Sequence, residues 1–156
     1  MKAATVNEIK QELTQLSKEK LVTLCQRLAR FKKENKELLT FLLFEADDMA
    51  AYINNVKGEI REQFSTINTG SVYFVKKSLR KILRITAKYI RYSGSPTVET
   101  ELLLYFCQLV KTMDAGIQAN PVIVNIYQHQ LKKIKAAIAS LHEDLQYEYN
   151  RELEQL

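Results

Sequence analysis

The only imidazoles in the chain are His129 and His142, thirteen residues apart. Imidazole is the side chain that most readily ligates metals and moves protons near neutral pH. On one continuous helix that offset turns the two rings about 220° apart. The spacing therefore predicts two exposed helix-surface histidines rather than one shared metal site. Neither the HExxH arrangement nor the Glu-x-x-His pair of di-iron bundles occurs. No metal and no cofactor is expected.

Paired carboxylates are the next chemistry to consider, because two acids in different environments can divide general-acid and general-base roles. Glu45, Asp47 and Asp48 cluster ahead of an apolar pattern that begins at Met49. A helix cap and a first-turn charge account for Asp47 and Asp48 without catalysis. Glu143, Asp144, Glu148, Glu152 and Glu154 make the C-terminal stretch acidic, as a solvated or partner-facing surface would be. Cys25 and Cys107 each lie beside an apolar stripe with no flanking nucleophile signature, which predicts buried, reduced, inert thiols. There is no GxSxG elbow and no glycine-rich phosphate loop. The sequence predicts no enzyme activity, an enzyme with a site assembled from distant residues being the third reading.

The strongest chemical signal is positive charge. KKSLRKILRITAKYIR, from Lys76 to Arg91, holds seven Lys and Arg and no acid. On a helical wheel Lys76, Lys77, Arg80, Lys81, Arg84, Lys88 and Arg91 fall within an arc of about 140°. Val75, Leu79, Ile82, Leu83, Ile85, Tyr89 and Ile90 fill the opposite arc. Such a helix buries one face and shows a basic stripe about 22 Å long. Residues 1–70 carry 11 basic and 10 acidic groups, residues 71–94 carry 7 and 0, and residues 95–156 carry 5 and 8. The net charge of +5 thus comes from one helix, which favours a localised contact surface over a generally basic coat. Four readings of the stripe compete: a solvated face, a complement to an acidic surface, a phosphate contact and a contact with an anionic membrane. Tyr73 and Tyr92 flank it and could stack on bases.

The elements that carry these residues are helical. The chain of 156 residues has four Gly and two Pro, far too few turn residues for an all-β fold. Thr5 and Glu8 have the form of a capping box, followed by Val6, Ile9, Leu13 and Leu16 at helical spacing. Ser17 is a cap for a second helix with Leu21, Leu24, Leu28 and Phe31 on one face. Leu38 to Phe44 is apolar all round, which predicts a helix central in the core. Met49, Ile53, Val56, Ile60, Phe64 and Ile67 mark a long helix, in which Gly58 suggests a close helix contact.

Gly70-Ser71, Ser95-Pro96 and Asn120-Pro121 then open three helices at 25-residue intervals. This spacing predicts matched lengths. The last helix is expected to run from Pro121 close to the C-terminus and to overhang the body, with Ile138, Leu141, Leu145 and Tyr149 as a self-association row.

The run LSKEKLVTLCQRLARFKKENKELLTFLLF, followed by YINNVKGEI, resembles the opening of an uncharacterised bacterial all-helical family over the first 60 or so residues. That resemblance implies a helical fold and carries no activity or functional residues. TVNEIKQELTQLSKEKLVTLCQRL also has the two-helix rhythm of the SAP DNA-binding hairpin, but lacks the Gly-containing loop between its helices.

The expectation is therefore an all-α fold of about seven helices in an irregular up-and-down bundle or short superhelical array. It forms a single domain over residues 1–156, with N-terminal helices in 5–67 and later ones starting near 71, 96 and 121. Its expected role is non-catalytic interaction with a protein or with itself. Nucleic-acid binding through the basic face of 71–92 is the alternative, and no small-molecule ligand is expected. No apolar run reaches bilayer-spanning or signal-peptide length, so no membrane insertion and a cytoplasmic location are expected.

Overall fold

A computed structural model describes residues 2–156; Met1, the first residue of the expected domain, lies outside them. Among the described residues the chain is helical throughout, with nine α-helices, one π turn and no strand. Where the sequence predicts one domain, the packing separates two compact units, the residues up to Phe44 and Glu45–Leu156. No helix among the described residues is long and apolar enough to cross a membrane.

The first unit holds α1 (Val6–Thr14), α2 (Lys18–Phe31) and α3 (Lys33–Thr40). The capping box forms as its residue types require: Glu8 N–H donates to Thr5 Oγ1 at 3.3 Å, and Thr5 N–H donates to Glu8 Oε2 at 2.7 Å. The bonds that the Thr5 N–H and then its hydroxyl donate to Glu8 Oε2 hold the Glu8 carboxyl below its ordinary pKa. Ser17 Oγ accepts from Lys20 N–H at 3.4 Å and starts α2. An extended Lys32 ends it, and Asn35 Nδ2 reaches back to the Leu28 carbonyl at 3.0 Å. That bond satisfies one of the four carbonyls that a helix end leaves open.

The π turn, Phe41–Glu45, corrects the expectation for the apolar run. Phe41 is buried, but Leu42, Leu43 and Phe44 are 56–79% exposed. Three short helices are too few to enclose a segment that is apolar on every side. The expectation of a buried thiol also fails at Cys25, which is exposed.

The second unit is built around α6 (Pro96–Lys111). Its neighbours are α4 (Met49–Ser65), α5 (Val72–Ser93), α8 (Pro121–Ile138) and α9 (Glu143–Glu154), all of which pack on it. The segment LLLYFC explains why: Leu102, Leu103, Leu104, Phe106 and Cys107 are all buried, so α6 is the apolar-all-round helix of the fold. Each such large side chain contributes roughly 1.5–3 kcal/mol on burial. Ser71, Ser95 and Asn120 are the N-caps predicted for α5, α6 and α8, with Pro96 and Pro121 in the first turn of α6 and α8. Gly94 ends α5 with φ 60°, a left-handed conformation suited to glycine. Gly58 meets no atom within 4 Å of where a Cβ would stand, so it marks no close helix contact.

The predicted lengths hold less well than the starts, at 22, 16 and 18 residues for α5, α6 and α8. The four-residue α7 (Ala115–Gln118) fills the space after α6. The long C-terminal helix is instead two helices. Ser140 Oγ donates to the Ala137 carbonyl at 2.7 Å, Gln146 Nε2 donates to the Leu141 carbonyl at 2.7 Å, and His142 caps α9. The chain therefore turns and packs α9 on α6 and α8 rather than overhanging. Tyr127 O–H fastens the end by donating to the Leu156 carbonyl at 3.1 Å.

Candidate anion-binding groove

Helix α5 buries Val75, Leu79, Ile82 and Thr86 and leaves most of the basic stripe on its other side. Lys77, Arg80, Lys81, Arg84 and Arg91 are exposed, whereas Lys76 and Lys88 are half-buried. Two of the seven are engaged with rings. Lys76 Nζ lies 5.5 Å from the Tyr73 ring centroid, and Lys88 Nζ lies 5.1 Å from that of Tyr89 and 6.0 Å from that of Tyr92. Such contacts are worth about 0.5–1 kcal/mol each at exposed sites.

The remaining cations divide by position. Arg80, Arg84 and Arg91 border a groove of about 940 Å³, to which α8 contributes His129 and Lys133. Lys77 and Lys81 stand outside it. The lining of α5 runs Arg80, Leu83, Arg84, Ala87, Ile90, Arg91, and that of α8 includes Val122, Ile126, His129 and Lys133. Both follow three- and four-residue steps, the rows that share one helix face. Each row spans about 16 Å at 1.5 Å per residue. Because α5 and α8 both pack on α6, Glu99 and Leu103 of α6 complete the lining.

The electrostatics of the groove are one-sided. Among the described residues, no carboxylate forms an ion pair with Arg80, Arg84, Arg91 or Lys133. Glu99 is the one acid in the lining. Gln130 is buried and donates through Nε2 to the Ile126 carbonyl at 3.3 Å, with His129 Nδ1 also at 3.3 Å. No Phe or Tyr lines the groove, so it lacks a base-stacking platform, and Tyr73 and Tyr92 lie elsewhere.

The other sequence-predicted residues fall as follows. Asp48 caps α4, accepting from Ala51 N–H at 2.9 Å. His142 caps α9 and lies 3.4 Å from Asp144, so the two histidines are on separate elements. Among the described residues no three His, Cys, Asp or Glu come together as a metal site. Cys107 is buried, and burial pushes its thiol up to about 12. Of the expected self-association row, Ile138 and Tyr149 are buried and Leu141 and Leu145 half-buried. The break after Ile138 turns that row inward.

Sequence reasoning missed His129 and Lys133 as partners of the stripe. The signal was present in α8, where Val122, Ile126, His129 and Lys133 form a row that is apolar at one end and basic at the other. No protein-family model, curated protein or solved structure matches this chain.

Proposed function

We propose that the chain is a non-catalytic interaction domain whose groove between α5 and α8 receives an acidic amphipathic helix of a partner protein. The observation that carries this reading is the pairing of an apolar interior with a cationic border. Leu83, Ala87, Ile90, Leu103, Val122 and Ile126 line the groove together with the cations Arg80, Arg84, Arg91 and Lys133. The lining rows of α5 and α8 each span about 16 Å, the length of about three helical turns, so the groove can take one face of a helix of that length. Apolar anchors at i, i+3, i+4 and i+7 would meet the interior while acids on their flanks meet the cations. Glu99 requires a neutral or basic residue where the incoming helix crosses it.

A phosphate backbone suits this groove less well. It would set strongly hydrated charge against apolar side chains without a ring to stack on.

The test is fluorescence anisotropy with a labelled amphipathic peptide of about 18 residues, Leu on one face and Glu beside it, against labelled single- and double-stranded oligonucleotides. Measurements at about 50 and 200 mM salt separate the partners. Saturable peptide binding that exceeds oligonucleotide binding at both salts is the expected result. Tighter oligonucleotide binding with a log–log salt slope near −3.6, the value for about four neutralised phosphates, would transfer the groove to nucleic acid.

A further inference from the structure

The N-terminal unit leaves one helix face without a cover. Phe41 is the one buried side chain among its described residues. On α2, Leu24, Leu28 and Phe31 are 39%, 59% and 81% exposed, and steps of four and then three residues place them in one row on the helix surface. The row covers about 10 Å of the helix axis. A single exposed apolar side chain needs no explanation, but three in one row, ending in a Phe, form a contiguous patch that marks a contact. Helix α3 packs on the neighbouring flank, where Cys25 and Ala29 share a cavity with Leu38 and Leu39, and Phe31 stands outside that lining.

Positive charge borders the row. Residues 18–33 hold six basic groups and one acid, Glu19, a concentration that the near-balance of residues 1–70 conceals. With Leu28 at zero and about 100° per residue, Phe31 falls near −60°, and Lys20 and Arg27 fall beside it near −80° and −100°. Arg30 and the extended Lys32 bracket Phe31 along the chain. All four cations are exposed, and among the described residues no carboxylate forms an ion pair with any of them. Helix α5 also carries a row of cations, but it buries its apolar face within the fold. Helix α2 presents cations and apolar side chains together.

We infer that α2 docks on an anionic lipid surface, with Leu24, Leu28 and Phe31 set into the headgroup boundary and Lys20, Arg27, Arg30 and Lys32 against acidic headgroups. A lipid interface answers both parts of the patch, since apolar side chains enter it by about 5–10 Å while long cationic stems reach back to the phosphates. It also needs no groove, because lipids mould around a single convex helix. A nucleic acid would meet the cations and leave Leu28 and Phe31 in water. The helix lies along the interface and does not span it: the 14 residues of α2 reach about 21 Å, short of the hydrocarbon core of about 30 Å. The inference is independent of the groove, which lies in the second unit and is bordered by other cations.

Co-sedimentation of the full chain with vesicles tests this, using phosphatidylcholine alone and phosphatidylcholine with an equal part of phosphatidylserine. The expected result is binding to the anionic vesicles only, weakening between about 50 and 200 mM salt. The chain has no tryptophan, so Phe31→Trp supplies a single reporter, whose emission should shift to the blue on binding and be quenched by lipids brominated in their acyl chains. Phe31→Ser, and Arg27→Glu with Arg30→Glu, should each lower the partition coefficient about tenfold or more. Helical circular dichroism should stay unchanged, because all three side chains are exposed. Lys77→Glu with Lys81→Glu on α5 should change the partition little. A chain that stays in the supernatant beside anionic vesicles would overturn the inference, as would a bound Phe31→Trp chain whose emission remains that of a water-exposed indole. Binding lost with the α5 pair rather than the α2 pair would also overturn it. So would oligonucleotide binding that Arg27→Glu with Arg30→Glu abolishes and Phe31→Ser leaves intact, which would assign the face to nucleic acid.

Discussion

Tyr149 in α9 donates its phenol proton to Glu101 Oε1 in α6 at 2.9 Å, and Lys57 of α4 takes the other oxygen of the same carboxylate. One side chain thus ties three helices. Burial, reinforced by the bond to Glu101, holds the Tyr149 phenol well above its ordinary pKa, so it remains a donor. Tyr149→Phe keeps the ring and removes the bond. We expect a loss of about 1–2 kcal/mol in urea unfolding, with greater exchange of α9 amides. An unchanged midpoint would show that the ring alone secures α9.

Glu152, three residues or about one turn of α9 from Tyr149, has its pKa raised above the ordinary 4.5, first by burial and then by the charge of Glu101, with Lys57 opposing. The folded state therefore binds this proton more tightly than the unfolded chain does, and stability falls as pH rises from 4.5 through the folded value. Glu152→Gln should raise the melting temperature at neutral pH, and the gain should shrink toward zero below pH 4.5. A gain larger in acid than at neutral pH would contradict this sign.

The two thiols should behave differently from one another. Cys107 is 0% exposed and its thiolate is strongly disfavoured by burial, and the thiolate is the reactive form. A disulfide reagent should label Cys107 only on unfolding. Cys25, which is exposed, should be labelled in the native chain. Fast reaction of both thiols in the native chain would contradict the core assignment.

Two substitutions should stabilise the second unit. Thr100 is fully buried and its hydroxyl has no hydrogen-bond partner among the described residues, so Thr100→Val should gain about 1 kcal/mol by removing an unpaired polar atom. Gly58 sits in α4 with open space around its missing Cβ, so Gly58→Ala should gain up to about 1 kcal/mol. Thermal unfolding of each variant measures the gain, and a destabilised variant would show that the site needs the hydroxyl or the small residue.

Helix starts were legible because caps are local. Thr5, Ser17, Ser71, Ser95 and Asn120 each bond to a backbone N–H two or three residues on, and no distant residue takes part. The break between α8 and α9 was hidden because neither Gly nor Pro makes it. Side chains of Ser140, His142 and Gln146 do, and the clue was Glu143-Asp144, a pair of acids suited to a new helix start.

The apolar run Leu38–Phe44 misled for a different reason. All-round hydrophobicity says that a segment avoids water, not how many helices are near enough to enclose it. The basic stripe was legible as one face of α5. That only Arg80, Arg84 and Arg91 reach a groove, and that Lys133 joins them, depends on α8 packing on α6, which no local pattern encodes.

The central claim is that position in the groove, not positive charge in general, makes the anionic contact. The most direct measurement compares two charge reversals on the same helix, titrated with the acidic amphipathic peptide. Arg84→Glu with Arg91→Glu changes the groove border, and Lys77→Glu with Lys81→Glu makes the same change in net charge outside it. The account predicts a loss of about tenfold or more, or about 1.4 kcal/mol, for the groove pair and little change for the outer pair. Equal losses for both pairs would contradict it.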